Sequence, residues 1–494
     1  MKLKIKLWRW SAGVPVAMLN KKTAEKIGVH TQDRISIRTF EKNSREMSTI
    51  IDTIGLFVKK DEIAISSEVK EILGLHEGQW IEVNLSETPR SLNYIKEKLN
   101  GKTLSKVQIK EIIKDIVENS LSEAEIAIFI SGVYEKGMNF METVYLVEAI
   151  LEVGKTLSFG KNMVVDKHCI GGIPGNRTTP IVVSICAAAG LIFPKTSSRA
   201  ITSAAGTADT IETIARVDYP ANKLKEIVKK VGACLAFGGS LEIVPADSKI
   251  IRIEKELKID VPALLLASIM SKKLAVGSNI ILIDIPCGKN GKVTKRYAKK
   301  LKRQFEALGK YFKRKLRVVI TNGNEPIGNG IGPALEMLDV IAVLDPEKQG
   351  PLDLQNKSIF LASNILEMSK IADEGEGISM AESILKSGLA FEKFKQIIKA
   401  QDGSISNLKA SRFKFSKTFV SDKNSKIKFI DNKKINSLAH ASGCPVDKYS
   451  GVYLYHHLGE KIIKGDKILT IYAESKPRLE EAIRYYKEQK PVLF

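Results

Sequence analysis

The sequence predicts a multidomain α/β protein: an amino-terminal β-barrel, a small helical domain, an α/β domain on a mostly parallel sheet, and a carboxy-terminal α+β domain. Three observations predict it. The first 85 residues contain an internal repeat, apolar residues then recur at helical spacing, and from Met163 short apolar strands alternate with helices. Such alternation is the pattern of a parallel sheet covered by its crossover helices. A chain of 494 residues has room for roughly three domains at about 150 residues each.

Residues 1–85 come first. Pro15 to Ile37 matches Glu62 to Val83 at a constant offset, with Leu19 over Ile65, Gly28 over Gly74 and His30 over His76. In each copy a short strand ends at a capping residue, Asn20 or Ser66, a two-turn helix follows, and a glycine closes it. Two such units interlock into one small barrel that resembles the double-psi barrel, expected to serve assembly. Residues 86–160, with part of 245–275, read as a helical domain: Val107, Ile109, Ile112, Ile113 and Ile116 fall on one helix face. Residues 161–405 form the α/β domain, with strands expected at NMVVD, CLAFGG, NIILIDIP and RVVITNG. Residues 406–494 are strand-rich, with one late helix at RLEEAIRYYKEQ.

Composition narrows the class. Apolar residues at 44% and charged residues at 27% are ordinary globular values. The longest apolar run, Ile181 to Phe193, is short of the roughly 18 residues of a membrane span. MKLKIKLWRW has no continuous apolar block and reads as a first strand rather than a signal peptide. Five scattered cysteines without metal spacing point to a reduced, cytoplasmic protein with no metal site. The net charge of +21 suits either anionic substrates or solvated lysine faces. Aromatics at 6%, with none interleaved among basic residues, argue against a nucleic-acid platform.

The chemistry concentrates in two stretches. In DKHCIGGIPGNRTTP, residues 166–180, a strand ending near Val165 runs into a glycine loop and then a helix near Arg177. That arrangement aims unpaired N–H groups at an anion, and Lys167 adds a charge. It is not a P-loop, because GxxxxGK[ST] is absent. Some twenty residues on, PKTSSRAITSAAGTADTIE gathers hydroxyls around Arg199 before a helix capped at Asp209. Such a density of donors suits phosphate or sugar oxygens.

These two stretches together resemble the phosphate- and sugar-binding core of the thymidine phosphorylase family, and GGIPGN with TSSRAITSAAGTAD is similar to its archaeal AMP phosphorylase branch. The resemblance runs through IDVPALLLASIMSKKLAVGS, LIDIPCGKNGKVT and GVYLYHHLGEKIIKGDKI. It implies that Lys167, with the hydroxyls of Ser197 and Thr207, holds the attacking phosphate. Gly172 and the run Ser198, Arg199, Ala200, Ile201, Thr202 and Ser203 would contact the nucleotide. Asp260 would be the proton donor to the departing base, Ser268 and Lys272 would line the base pocket, and Lys292 would touch the nucleotide. The resemblance implies inorganic phosphate as co-substrate, no cofactor, AMP and related nucleotides as substrates, and a homo-oligomer of at least two chains.

One residue departs from the family pattern. Cys169 stands where the family has Ser, and a thiol is the weaker donor. Asp260 needs a proton near neutral pH, which calls for burial, while the lysines of KELKID act against it. Substrates brought from a helical and an α/β domain suggest a cleft that closes. Three other readings stay open: a thymidine or uridine phosphorylase, a Mg²⁺-dependent phosphoribosyltransferase, and a basic nucleic-acid-binding barrel.

Overall fold

The computed structural model describes every residue of 1–494 apart from Arg9, Val14, Lys42, Glu87, Lys161, Asn162, Ile201, Thr202, Ser240, Leu241 and Glu242. The chain divides into two units, Met1–Gly154 with Val244–Ser268, and Lys155–Ile243 with Ile269–Phe494.

In the first unit, strands β1 (Lys2–Leu7), β2 (Val16–Asn20), β3 (Arg34–Thr39), β4 (Glu46–Ile54), β5 (Glu62–Ile65) and β6 (Trp80–Leu85) close a barrel in the order β1-β5-β2-β4-β3-β6. The repeat explains the closure. Helix α1 (Lys21–Ile27) maps residue for residue onto α2 (Ser67–Leu73), and β3 onto β6. The halves interlock because β1 runs parallel to β5 and β2 parallel to β4. Leu3, Ile5, Leu19, Ile35, Ile37, Ile63, Ile81 and Val83 fill the interior, as the period-2 pattern of a closed sheet requires. Asn20 caps α1 by accepting from the Lys22 N–H at 3.0 Å, and Gly28 closes that helix at φ 82°. The second expected cap differs: the Ser66 hydroxyl accepts from the Val16 N–H at 3.3 Å, tying β5 to β2 instead of capping α2.

Helices α3 (Ser91–Leu99), α4 (Lys106–Val117), α5 (Glu123–Lys136), α6 (Phe140–Glu152) and the later α10 (Pro245–Leu257) complete this unit. Capping boxes at Ser105/Gln108, Ser122/Glu125 and Asn139/Glu142 start three of them, each satisfying two end groups reciprocally. Ile109, Ile112, Ile113 and Ile116 are buried as expected, whereas Val107 is 70% exposed. At 3.6 residues per turn its side chain projects roughly opposite those four isoleucines, so it lies on the solvent face of α4 and not on the buried one.

The second unit opens with β7 (Val165–Cys169), α7 (Thr178–Ala188), β8 (Phe193–Ser197), α8 (Thr207–Ile211), α9 (Ala221–Val231) and β9 (Ala233–Phe237). Helix α11 (Pro262–Ala275) passes from the first unit into the second, and β10 (Ile280–Cys287), α12 (Lys295–Tyr311) and β11 (Lys315–Asn322) follow. All pairings among these strands are parallel: β11-β10-β7 in one sheet, β8-β9 in another, with a Val164–Ile192 bridge between. The strand starts and ends later than expected. Asp166, Lys167 and His168 pair with Ile281, Leu282 and Ile283 of β10, so the polar residues belong to the sheet and not to the glycine loop.

Helices α13 (Pro333–Leu344) and α14 (Leu352–Met368) pack with α7 in the main core. Beyond residue 412, an antiparallel sheet joins Gly330–Ile331, Gly451–Leu454, Lys467–Ala473 and Phe415–Val420. Asn432–Ala441, read as part of a strand-rich stretch, is a helix, because the Asp431 carboxylate accepts from the Lys433 and Lys434 N–H groups at 2.9 and 3.0 Å. The late helix spans Lys476–Gln489. Among the described residues no helix is long and apolar enough to cross a membrane.

Candidate active site

The end of β7 carries the charged chemistry. Lys167 is 1% exposed, and its Nζ donates to Thr178 Oγ1 at 2.6 Å and Thr179 Oγ1 at 3.3 Å in the first turn of α7. The ammonium therefore sits at the helix end that attracts anions. Beside it, Lys195 Nζ donates to Lys167 O at 2.8 Å and Asp166 Oδ1 at 3.2 Å, and Lys273 Nζ donates to Asp166 Oδ2 at 2.7 Å. Asp284, opposite Cys169 in β10, accepts from Thr321 at 2.6 Å and pairs with Lys357 at 3.2 Å. Four lysines thus share two carboxylates in a buried cluster, a balance that favours an incoming anion.

Burial strains these cations. It pushes Lys167 down to about 8, with Lys357 and Lys195 adding to the effect against Cys169 and Asp284. Burial and the surrounding lysines hold His168 well below its usual range, so its imidazole is neutral. Burial lifts Cys169 to about 11, which keeps it a thiol. Asn176 Nδ2 approaches its Sγ at 3.4 Å.

The glycine loop follows, with Gly171, Gly172 and Gly175 at φ 86°, 91° and 69°. A Cβ on Gly172 would stand 2.6 Å from Lys292 Cβ. The loop and the GKNGKVT turn, each expected to touch the nucleotide, are in direct contact with one another.

The second stretch is held by Asp209. Its Oδ2 accepts from the N–H groups of Ala200 at 2.7 Å and Gly206 at 2.8 Å, folding the segment back on itself. Gly206 is needed because a Cβ there would lie 2.6 Å from Ser198 O and Arg199 C. The Arg199 guanidinium is taken up by protein carboxylates: two 2.7 Å bonds to Glu212, with Asp218 at 3.3 Å and Asp209 at 3.4 Å. The Arg199 hydrogen bonds foremost, and then Lys448, hold Glu212 down at about 2 against its partial burial. Ser197 donates to Ala236 O at 3.3 Å, Ser203 donates to Ala205 O at 2.9 Å, and Thr207 Oγ1 accepts from Arg177 Nη1 at 2.9 Å. Ser198 is exposed, and Ile201 and Thr202 lie outside the described residues.

The remaining expected residues lie elsewhere. Asp260 belongs to the first unit, ahead of α11, and is exposed; the burial expected around its carboxyl is not found. Ser268 and Lys272 stand four residues apart on α11, both half-buried, and Lys292 is exposed.

Comparison with known proteins places this geometry. A helical bundle domain of a glycosyl transferase family matches residues 92–154, the α/β domain of such a family matches 161–293, and a pyrimidine nucleoside phosphorylase carboxy-terminal domain matches 426–492. The AMP phosphorylase of Thermococcus kodakarensis is 41% identical over 496 aligned positions, covering 100% of this chain and 97% of that one. The chain belongs to the AMP phosphorylase family. The AMP phosphorylase of Pyrococcus furiosus is 40% identical over the same span. A putative thymidine phosphorylase of Parvibaculum lavamentivorans is 38% identical over 429 positions, covering 87% of this chain and 84% of its own. The crystal structure of anthranilate phosphoribosyltransferase from Thermus thermophilus superposes with a TM-score of 0.52 at 17% identity, over 63% of this chain and 99% of that one, a likeness of fold.

Within this AMP phosphorylase family member, several residues of the charged cluster carried no expectation from sequence. Lys195 stood in the motif two residues before Ser197, and Asp166 stood next to Lys167, so both had a local signal. Lys273 stood next to Lys272 in the same way, whereas Asp284 and Lys357 had none, because their partners are remote in the chain.

Proposed function

We propose that the enzyme cleaves AMP with inorganic phosphate to adenine and ribose 1,5-bisphosphate, and accepts CMP and UMP in the same way. The observation that carries this reading is Lys167 at the head of α7 within four buried lysines and two carboxylates, a setting matched to a phosphate dianion. Kinship along the whole chain with AMP phosphorylases favours the nucleotide over the nucleoside.

In the proposed reaction a phosphate oxygen attacks ribose C1′ as the C1′–N bond breaks, and the electron pair leaves with the base. The base nitrogen takes a proton, and Asp260, exposed in the free protein, would supply it once the bound nucleotide covers its carboxyl. Lys167 and the loop N–H groups hold the nucleophile, whose negative charge faces the developing sugar cation. Lysine cations supply the positive charge, so the reaction calls for no metal or organic cofactor. Ser197 and Thr207 would share the phosphate. Gly172, Ser198 to Ser203 and Lys292 would hold the nucleotide, and Ser268 and Lys272 the base. We place the enzyme in the cytoplasm as a homo-oligomer of at least two chains.

The test is adenine release from AMP with and without phosphate, with adenosine in parallel. Phosphate-dependent release from AMP alone supports the reading. Release from adenosine or pyrimidine nucleosides alone replaces it with a nucleoside phosphorylase.

A further inference from the structure

We infer that Arg177 is a positioning residue for phosphate capture, acting through the Thr207 hydroxyl. Arg177 occupies the residue before α7, in the second unit, and is 9% exposed. Every edge of its guanidinium is committed. Nε donates to Glu336 Oε2 at 2.6 Å, Nη1 to Thr207 Oγ1 at 2.9 Å, and Nη2 to Ala205 O at 2.8 Å. Glu336, on α13 and 1% exposed, also accepts from the Gly332 N–H at 3.2 Å. One cation thus joins the glycine loop, the Ser/Thr loop and α13.

The consequence lies in the direction of one proton. Arg is charged at all working pH values and has no acceptor, so Thr207 Oγ1 must accept from it. A hydroxyl that accepts on one side donates its single O–H on another, and among the described residues no acceptor takes the Thr207 proton. Arg177 therefore turns Thr207 into a dedicated donor and strengthens it, since hydrogen-bond chains polarise one another. A flexible lysine, a point charge, cannot span the three acceptors in this fork geometry.

The inference rests on the phosphate-using reading above. The variants are Thr207→Val, the pair Arg177→Met with Glu336→Leu, which strands neither buried charge, and all three changes together. We expect phosphate KM in AMP cleavage, and the calorimetric Kd for inorganic phosphate, to rise by about tenfold or more for Thr207→Val and for the pair. The AMP KM of the pair rises by less than its phosphate KM, and its melting temperature falls, because Ala205 O and the Gly332 N–H lose their partners. The triple variant loses no more than the pair, because the two changes act on one donor. Unchanged phosphate affinity in the pair, or effects that multiply in the triple variant, overturns the inference. Should the pair not fold, Arg177→Lys keeps the counter-charge of Glu336 and takes its place in the same cycle. A wild type that binds phosphate without cleaving AMP defeats the reaction and leaves the clamp to be judged by Kd. A wild type that binds no phosphate overturns both.

Discussion

Replacing Gly172 with alanine tests the contact between the glycine loop and Lys292. Gly172 has φ 91°, and its new Cβ would stand 2.6 Å from Lys292 Cβ and 3.3 Å from the Lys292 N. Two costs follow. A left-handed backbone costs a non-glycine residue about 1–2 kcal/mol. The Cβ contact must also open to about 3.5–4.0 Å, so Lys292 or the loop moves by roughly 1 Å. A misplacement of about 1 Å in substrate-positioning groups can cost on the order of 10²-fold in rate. Gly171 supplies the control, because it has φ 86° but its Cβ would meet nothing within 4 Å. Gly171→Ala therefore bears the backbone cost alone. The assay is kcat/KM for AMP at saturating phosphate, with melting temperatures of both variants. We expect Gly172→Ala to lose about 10²-fold, with Gly171→Ala well above it and both melting below wild type. Equal activities in the two variants would refute the reasoning, since the contact with Lys292 would then carry nothing.

Lys167, lowered to about 8 by burial, makes phosphate use pH-dependent. Below that value the ammonium is charged and attracts phosphate, and above it the neutral amine does not. The kcat/KM for phosphate, which reports the free enzyme, falls as pH rises through about 8; a flat profile to pH 10 would contradict this. Asp166→Asn leaves Lys195 and Lys273 without their shared counter-charge and costs about 3–5 kcal/mol in stability, measured by urea unfolding. Adding Lys273→Met recovers part of that loss, and no recovery would show that the pairing is not its source. Asp260→Asn tests the exposed carboxyl as the proton donor. It lowers kcat with AMP by about 10²–10⁴-fold as a lost proton donor, and unaffected turnover would remove Asp260 from the mechanism.

Local pattern carried the barrel and the loops. The repeat around Gly28 and Gly74, the isoleucines of α4, and glycines with positive φ at 171, 172 and 175 are properties of a few neighbouring residues. Where the sequence reading missed, a distant partner had intervened. Ser66 turned to Val16 because β5 lies beside β2. Val107 stayed exposed because it lies on the face of α4 opposite the buried isoleucines. Asp166, Lys167 and His168 read as loop residues by their polarity, yet they pair with β10 in a parallel sheet. Lys195 and Lys273 satisfy Asp166, and the helix end receives Lys167.

By itself the sequence determined the order of the barrel, helical and α/β layers and the loops rich in glycine and hydroxyls, since those follow from hydrophobic period and backbone freedom over a few residues. The tertiary structure alone decided which charges meet. Lys273 reaches Asp166 across 107 positions, and Arg177 reaches Glu336 across 159. It turned Arg199 onto its own carboxylates and left Asp260 exposed. The physical reason is that a buried charge is tolerated only with a partner at hydrogen-bond distance, and that distance is set by packing, not by spacing along the chain.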